Sequence, residues 1–130
     1  MAKFGMTVLS VGIRNKSKAL KTLPVRVLVV DSGAEAVRHL FEDKIDAVIS
    51  HWDLIDMPDG RLLKNITAAK PNFPTIAFVK TGNHRQETLA RNIGVSAVLA
   101  NDIDDEYFCQ VLCQILDLAD VSLIIPIGNN

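Results

Sequence analysis

Three features of this chain predict an α/β domain built on a parallel sheet. Short apolar segments alternate along the sequence with segments whose apolar residues recur at helical spacing. One of the short segments, Val25-Arg26-Val27-Leu28-Val29-Val30, is β-branched with almost no polar interruption, as befits a strand covered on both faces. The length of 130 residues suits one domain with a real core and is too short for two ordinary ones. Strands separated by helices need crossover connections, and crossovers make neighbouring strands parallel.

The elements follow in order. Thr7 to Ile13 reads as a first strand, followed by a short polar helix around Lys16 to Leu23 that Pro24 ends. Val25 to Val30 is the second strand. Asp31-Ser32-Gly33 is a turn in which Ser32 caps the next helix, with Glu35 completing a capping box. Ala36, Val37, Leu40 and Phe41 form that helix's buried stripe. Ala47 to Ser50 is the third strand, and a helix from about Gly60 to Ala69 turns Leu62, Leu63 and Ile66 inward. After the loop Pro71-Asn72-Phe73-Pro74 comes a fourth strand, Thr75 to Val79. The Thr81-Gly82-Asn83 turn opens a helix from His84 to Ile93, with Gly94 as its C-terminal cap. Ser96 to Ala100 is the fifth strand. The last helix, from about Asp104 to Ala119, carries Phe108, Val111, Leu112, Ile115 and Leu118 inward. The expected domain spans residues 1–120, with 121–130 as an apolar C-terminal tail.

This alternation fits a flavodoxin-like three-layer sandwich, a five-stranded parallel sheet in the order 2-1-3-4-5 between two helical layers. In such sheets ligands collect outside the carboxyl ends of the strands where the winding reverses, here between strands one and three. Gly12, Ile13 and Arg14 line that place from one side, and His51, Trp52 and Asp53 from the other.

Composition excludes several classes of function. A net charge of -1 with scattered Lys and Arg supplies no basic face for nucleic acid or an anionic membrane, and the cluster from Arg14 to Lys21 reads as a solvated helix face. No apolar run reaches the roughly 18 residues needed to span a bilayer, and no signal-peptide core is visible, so a cytoplasmic protein is expected. Cys109 and Cys113 share one helical face and read as reduced, core-facing thiols. No phosphate-cradling glycine loop follows the first strand, and neither a Cys-x-x-Cys pair nor a Ser-His-Asp constellation is recognisable, so no enzyme and no cofactor are expected.

The order Asp46-Ala47-Val48-Ile49-Ser50, an acidic loop ending in Asp59-Gly60, the helix with Ala90 to Ile93 before Gly94, and Val95 to Ala100 resembles bacterial response-regulator receiver domains (CheY-like) over Thr7 to Leu118. The first helix is several residues shorter than usual for that family, and the Met57-Pro58-Asp59-Gly60 turn carries one extra residue. The resemblance implies a phosphoacceptor site: acids after the first strand and an acceptor aspartate holding magnesium, a hydroxyl after the fourth strand, a lysine after the fifth, and an aromatic switch on the fifth. At the matching positions this chain has Gly12 and Ile13 or Ile13 and Arg14, then His51, Val79, Asn101 and Val98. Moving the acceptor to Asp53 restores a carboxylate but no acids near Gly12. Arg14 would instead pair with Asp31, Asp53 or Asp56 and lock the site in one conformation.

His51 reads as a structural or semi-buried histidine, since His39 and His84 lie on other helices and do not converge on it. Trp52 reads as packing across the site or contacting a partner, and Asp53, Asp56 and Asp59 as capping carboxylates of one turn. The resemblance further implies a docking face on the fourth helix, fifth strand and fifth helix, for another signalling protein or a homodimer. Its candidates are His84, Gln86, Glu87, Arg91, Val98, Asp105, Tyr107, Gln110 and Gln114. The tail Val121 to Ile127 is an apolar segment placed after the fold is complete, expected to pack on its own domain or against another chain. A degenerate receiver acting as a phosphorylation-independent adaptor is the functional expectation. Its alternatives are a response regulator phosphorylated at Asp53 and a small-molecule sensor using the vacated site.

Overall fold

The computed structural model describes residues 5–117. Five parallel strands, β1 (Thr7–Val11), β2 (Arg26–Val30), β3 (Ala47–His51), β4 (Thr75–Val79) and β5 (Ala97–Ala100), form one sheet in the order β2-β1-β3-β4-β5, as expected. Pairings such as Val8 with Val27 and Ala47, and Ile49 with Ile76, fix the register. Helices α1 (Ser17–Leu20), α2 (Gly33–Glu42), α3 (Arg61–Ala69) and α4 (His84–Asn92) make the four crossovers, and α5 (Asp105–Ile115) follows β5.

The interior strands β1 and β4 are buried along their whole length, whereas the edge strand β2 is only half covered. On one face, Ile13, Leu20, Leu23, Phe108, Leu112 and Leu116 join α1 and α5 to the sheet, with Phe108 edge-on to Phe78 at 5.5 Å. On the other, Val11, Val30, Ala36, Val48, Leu62 and Ile66 form one cluster under α2 and α3, and Trp52, Leu63, Ala77, Val79 and Ala90 a second under α3 and α4. Each of those clusters removes apolar area from water at about 25 cal/mol per Å², which is what holds short elements like these in place.

The helix starts are set by side chains. Ser32, Asn83 and Asp104 each accept the amide N–H three residues on, which satisfies donors the helix cannot. Glu35 returns its carboxylate to the Ser32 hydroxyl and the Asp31 amide, so the anticipated box closes one residue early.

Four expectations need correction. The first helix is a 3-10 turn over Arg14–Lys16 followed by only four α-helical residues, because no apolar stripe long enough to anchor a longer helix is present. The first strand ends at Val11: Gly12 turns the chain with φ +72, and Ile13, 2% exposed, drops into the core rather than lining the site. Lys16 is not part of a solvated face but is 5% exposed. Phe41 is 86% exposed at the last turn of α2 instead of lying in its buried stripe. Leu118, Ala119, the division at residue 120 and the segment Val121 to Ile127 lie outside the described residues. Among the described residues no helix is long and apolar enough to cross a membrane.

Candidate functional site

The carboxyl edge of the sheet gathers the loops after β1, β3, β4 and β5. After β1 the Gly12 amide bonds the Val30 carbonyl at 2.9 Å, which brings Arg14 beside the end of β2. There Arg14 Nε and Nη2 donate to the two carboxylate oxygens of Asp31 at 2.7 and 2.8 Å, the forked geometry that suits guanidinium and carboxylate. The Arg14 fork holds the Asp31 carboxyl below its ordinary range, and Asp31 in return raises Arg14. Of the three acids Arg14 was expected to meet, it meets Asp31.

The loop after β3 is fixed by its own side chains. The Asp53 amide donates to His51 Nδ1 at 3.1 Å, which turns the ring back onto its own backbone. Asp53 accepts from the Asp59 amide at 2.6 Å through one oxygen and from Gln86 Nε2 at 2.9 Å through the other. Asp56 reaches over to α2 and accepts from the Gly33 and Ala34 amides, both at 2.9 Å; those two N–H groups hold its carboxyl below the usual carboxylate range. Asp59 lies between Lys64 and Arg85 at 3.6 and 3.5 Å, and Lys64 chiefly holds its carboxyl low. Asp53 and Asp56 therefore cap backbone amides as expected, while Asp59 instead pairs with Lys64 and Arg85.

Trp52 is 1% exposed and packs under α3 and α4, so it crosses beneath the site and offers nothing to a partner. Its backbone bonds Phe78 and Gly60 at 2.7 and 2.8 Å. Gly60 has φ +73, and a Cβ there would fall 2.3 Å from the indole, so both the turn and the ring demand glycine.

At the other two loops, Val79 is a buried strand end whose carbonyl accepts from the Asn101 amide at 2.9 Å. Asn101 Oδ1 in turn accepts from the Thr81 hydroxyl at 2.8 Å, tying the loop after β4 to the loop after β5. Val98 is half-buried beside Val79 and leaves a small cleft of about 100 Å³ between β5 and the start of α4.

Two residues of this region escape a sequence reading. Gln86, expected on the docking face, is 7% exposed and turned inward, accepting from the Lys80 amide at 2.8 Å while donating to Asp53. Lys16 passes through the core layer, over the Phe108 ring, to the Ile103 carbonyl and to Asp105 Oδ1 at 2.9 Å. Nothing in a run of Arg, Asn, Lys and Ser singles Lys16 out; only the shortness of the helix that follows hints that the run is not a regular exposed face. Asp105, likewise expected to be free for a partner, is committed to Lys16.

His84, Arg91, Tyr107, Gln110 and Gln114 are exposed on α4 and α5, and Glu87 beside them pairs with Arg91 at 2.8 Å. His39 pairs with Asp43 at 2.6 Å on α2, far from His51 in the fold. Cys113 is buried, Cys109 is half-buried against Ala19 and Thr22, and burial pushes both thiols up, so neither is an activated nucleophile.

The donor set does not fit magnesium. A hard cation needs several oxygen ligands, yet Gly12 and Ile13 supply no carboxylate, Asp31 is committed to Arg14, and both Asp53 oxygens hold N–H groups. Among the described residues no group of three or more His, Cys, Asp or Glu is arranged to hold a metal ion. An open cleft of about 340 Å³ remains between Gly12, Arg14, Asp31, Asp53, Leu54 and Ile55, with Ile55 standing wholly in solvent beside it.

No family model matches the chain. It is 29% identical over 91 residues to the transcriptional regulatory protein GlrR of Escherichia coli strain K12, a match covering 70% of this chain and 20% of that protein. The chain thus spans about a fifth of the length of the curated relatives it matches. Among solved structures it superposes on the signal receiver domain of an HD domain-containing protein from Pseudomonas fluorescens with a TM-score of 0.78 and 23% identity, covering 87% of this chain and 95% of that one. A response-regulator receiver domain from Methanospirillum hungatei superposes at 0.77 with 14% identity, covering 91% and 98%. Sheet order, crossovers and superpositions agree: the chain has the CheY-like, flavodoxin-type fold of response-regulator receiver domains.

Proposed function

We propose that this chain is a receiver-like signal-transduction domain of the two-component or phosphorelay type that acts by protein-protein contact and independently of phosphorylation. One observation carries the reading: the carboxylates at the carboxyl edge are consumed as structural ties. Asp31 holds Arg14, Asp53 holds the Asp59 amide and Gln86, and Asp56 holds the start of α2. An acceptor must present a free carboxylate to a phosphoryl donor and share it with a cation that neutralises the incoming charge. Here the fixed positive charge of Arg14, paired to Asp31, stands in the region where that cation would be held.

The expected output is recognition through α4, β5 and α5, with His84, Arg91, Tyr107, Gln110 and Gln114 as contacts. The resemblance of the fold to receiver domains and the curated likeness to GlrR support a signalling role; another signalling protein or a second copy would be the partner. Enzymatic activity is not part of the proposal.

The test is to titrate the protein with beryllofluoride and magnesium and record amide NMR spectra. Signals of Asp53, Thr81 and Asn101 are expected to stay in place. A clear magnesium-dependent shift centred on Asp53 would overturn the reading in favour of a response regulator phosphorylated there. A ligand that raises the melting temperature through the cleft at Arg14 and Ile55 would point instead to a small-molecule sensor.

A further inference from the structure

We infer that the crevice between α2 and α3 binds a small, free aliphatic carboxylate, with the tail among apolar side chains and the head on Lys70. The crevice measures about 320 Å³, within the roughly 300–1,000 Å³ of small-molecule sites. It lies toward the amino edge of the sheet, where α2 and α3 end, away from the loops of the carboxyl edge.

Depth separates this crevice from a flat apolar face. Its floor is Leu62 and Ile66, which are 2% and 7% exposed and belong to the core cluster under α2 and α3. Val37, Leu40 and Phe73, half-buried against the same cluster, form its walls. Phe41 stands at the mouth, 86% exposed. The crevice thus runs from solvent down to the core, a shape that suits a narrow apolar chain lying along α3 with a wall on either side. From Leu62 to Ala69 the lining follows α3 for about 10 Å, at ~1.5 Å per residue, and this sets the length of tail that is covered.

Charge selects the head group. Among the described residues Lys70 is the one charged side chain that lines the crevice, and its Nζ lies over the Phe73 ring, 5.4 Å from the centroid. Lys16 and Lys64 each meet an aspartate, whereas Lys70 makes no ion pair among the described residues. A cation held over an aromatic face at the edge of an apolar site complements an anion that carries an apolar tail. One ammonium matches one negative charge, which favours a carboxylate over a phosphate dianion.

The experiment titrates the full chain with hexanoate, octanoate and octylamine and follows the amide NMR spectrum. Shifts are expected in residues 37–41 and 62–73, with affinity rising about fourfold for each methylene added between hexanoate and octanoate as apolar area leaves water. Lys70→Met keeps the stem and removes the charge; it should weaken octanoate by about threefold, the scale of an exposed ion pair, and erase its advantage over octylamine. Ala69→Trp, placed at an exposed position, should fill the crevice and abolish the shifts. Equal affinity of the parent for octanoate and octylamine overturns the proposal, as does octanoate that shifts nothing in residues 37–41 and 62–73. Binding to phosphatidylglycerol vesicles without binding to free octanoate also overturns it and would make a membrane surface the occupant.

Discussion

Trp52 and Asp53 are neighbours in sequence, yet they are held by different physics. Trp52 is held by close packing: it is 1% exposed, pressed on Gly60 and enclosed by Leu63, Ala77 and Val79. Asp53 is exposed and held by two directed bonds, from the Asp59 amide and from Gln86. Packing is cooperative and tolerates little change in volume, while each exposed tie contributes singly and can be exchanged for another. The contrast explains how the fold can stand whatever chemistry the residues at the carboxyl edge carry, here Gly12, His51, Val79 and Asn101. The layer that sets the shape and the layer that sets the chemistry answer to separate constraints.

The largest effect is expected where packing alone is removed. Trp52→Ala should cost about 3–5 kcal/mol in urea unfolding, the range for removing a large buried aromatic, and a loss under 1 kcal/mol would show that the ring packs loosely. An intermediate effect is expected at Lys16, which belongs to both layers. Lys16→Ala removes the partner of the Ile103 carbonyl and of Asp105 together with the buried stem beside Phe108 and should cost about 1–3 kcal/mol, from lost part-buried bonds and lost packing. Lys16→Met keeps the stem against Phe108 and should lose less, so equal losses in the two variants would assign the effect to the bonds rather than to packing.

The smallest effect is expected at Asp56 and should be confined by pH. Its carboxyl is lowered in the folded chain from an ordinary value of 3.8 by the Gly33 and Ala34 amides. The stability it contributes is therefore fully present above that value and is lost as pH falls through the lower, folded one. Stability curves of the parent and of Asp56→Asn should differ at neutral pH and converge in acid. A difference that instead grows in acid would show that the carboxylate is not the tie.

Most of the fold was legible because it rests on pattern. Thr75–Val79 was bounded to the residue by its apolar run between Pro74 and Lys80, and the cap at Ser32 by a side chain whose chemistry acts locally. Of the site, the pairing of Arg14 with an acid was legible. Its geometry was not, because Gln86 and Lys16 act across long sequence separations that periodicity does not encode: Gln86 reads as an exposed helix residue until Asp53, 33 positions away, is brought beside it. Phe41 misled for the converse reason. Its spacing matches the buried stripe, but the helix ends beyond the cover that α3 provides.

Gly12 adds a consequence about what this edge can be made to hold. Its φ of +72 belongs to a region that costs other residues about 1–2 kcal/mol, and a Cβ there would sit 2.9 Å from a Leu54 methyl. A carboxylate placed at this position would have to strain the backbone and displace Leu54 before it met any cation. His51→Asp alone would leave that obstacle in place, so a pair of acids facing one another across this edge requires a reshaped turn and not a single substitution.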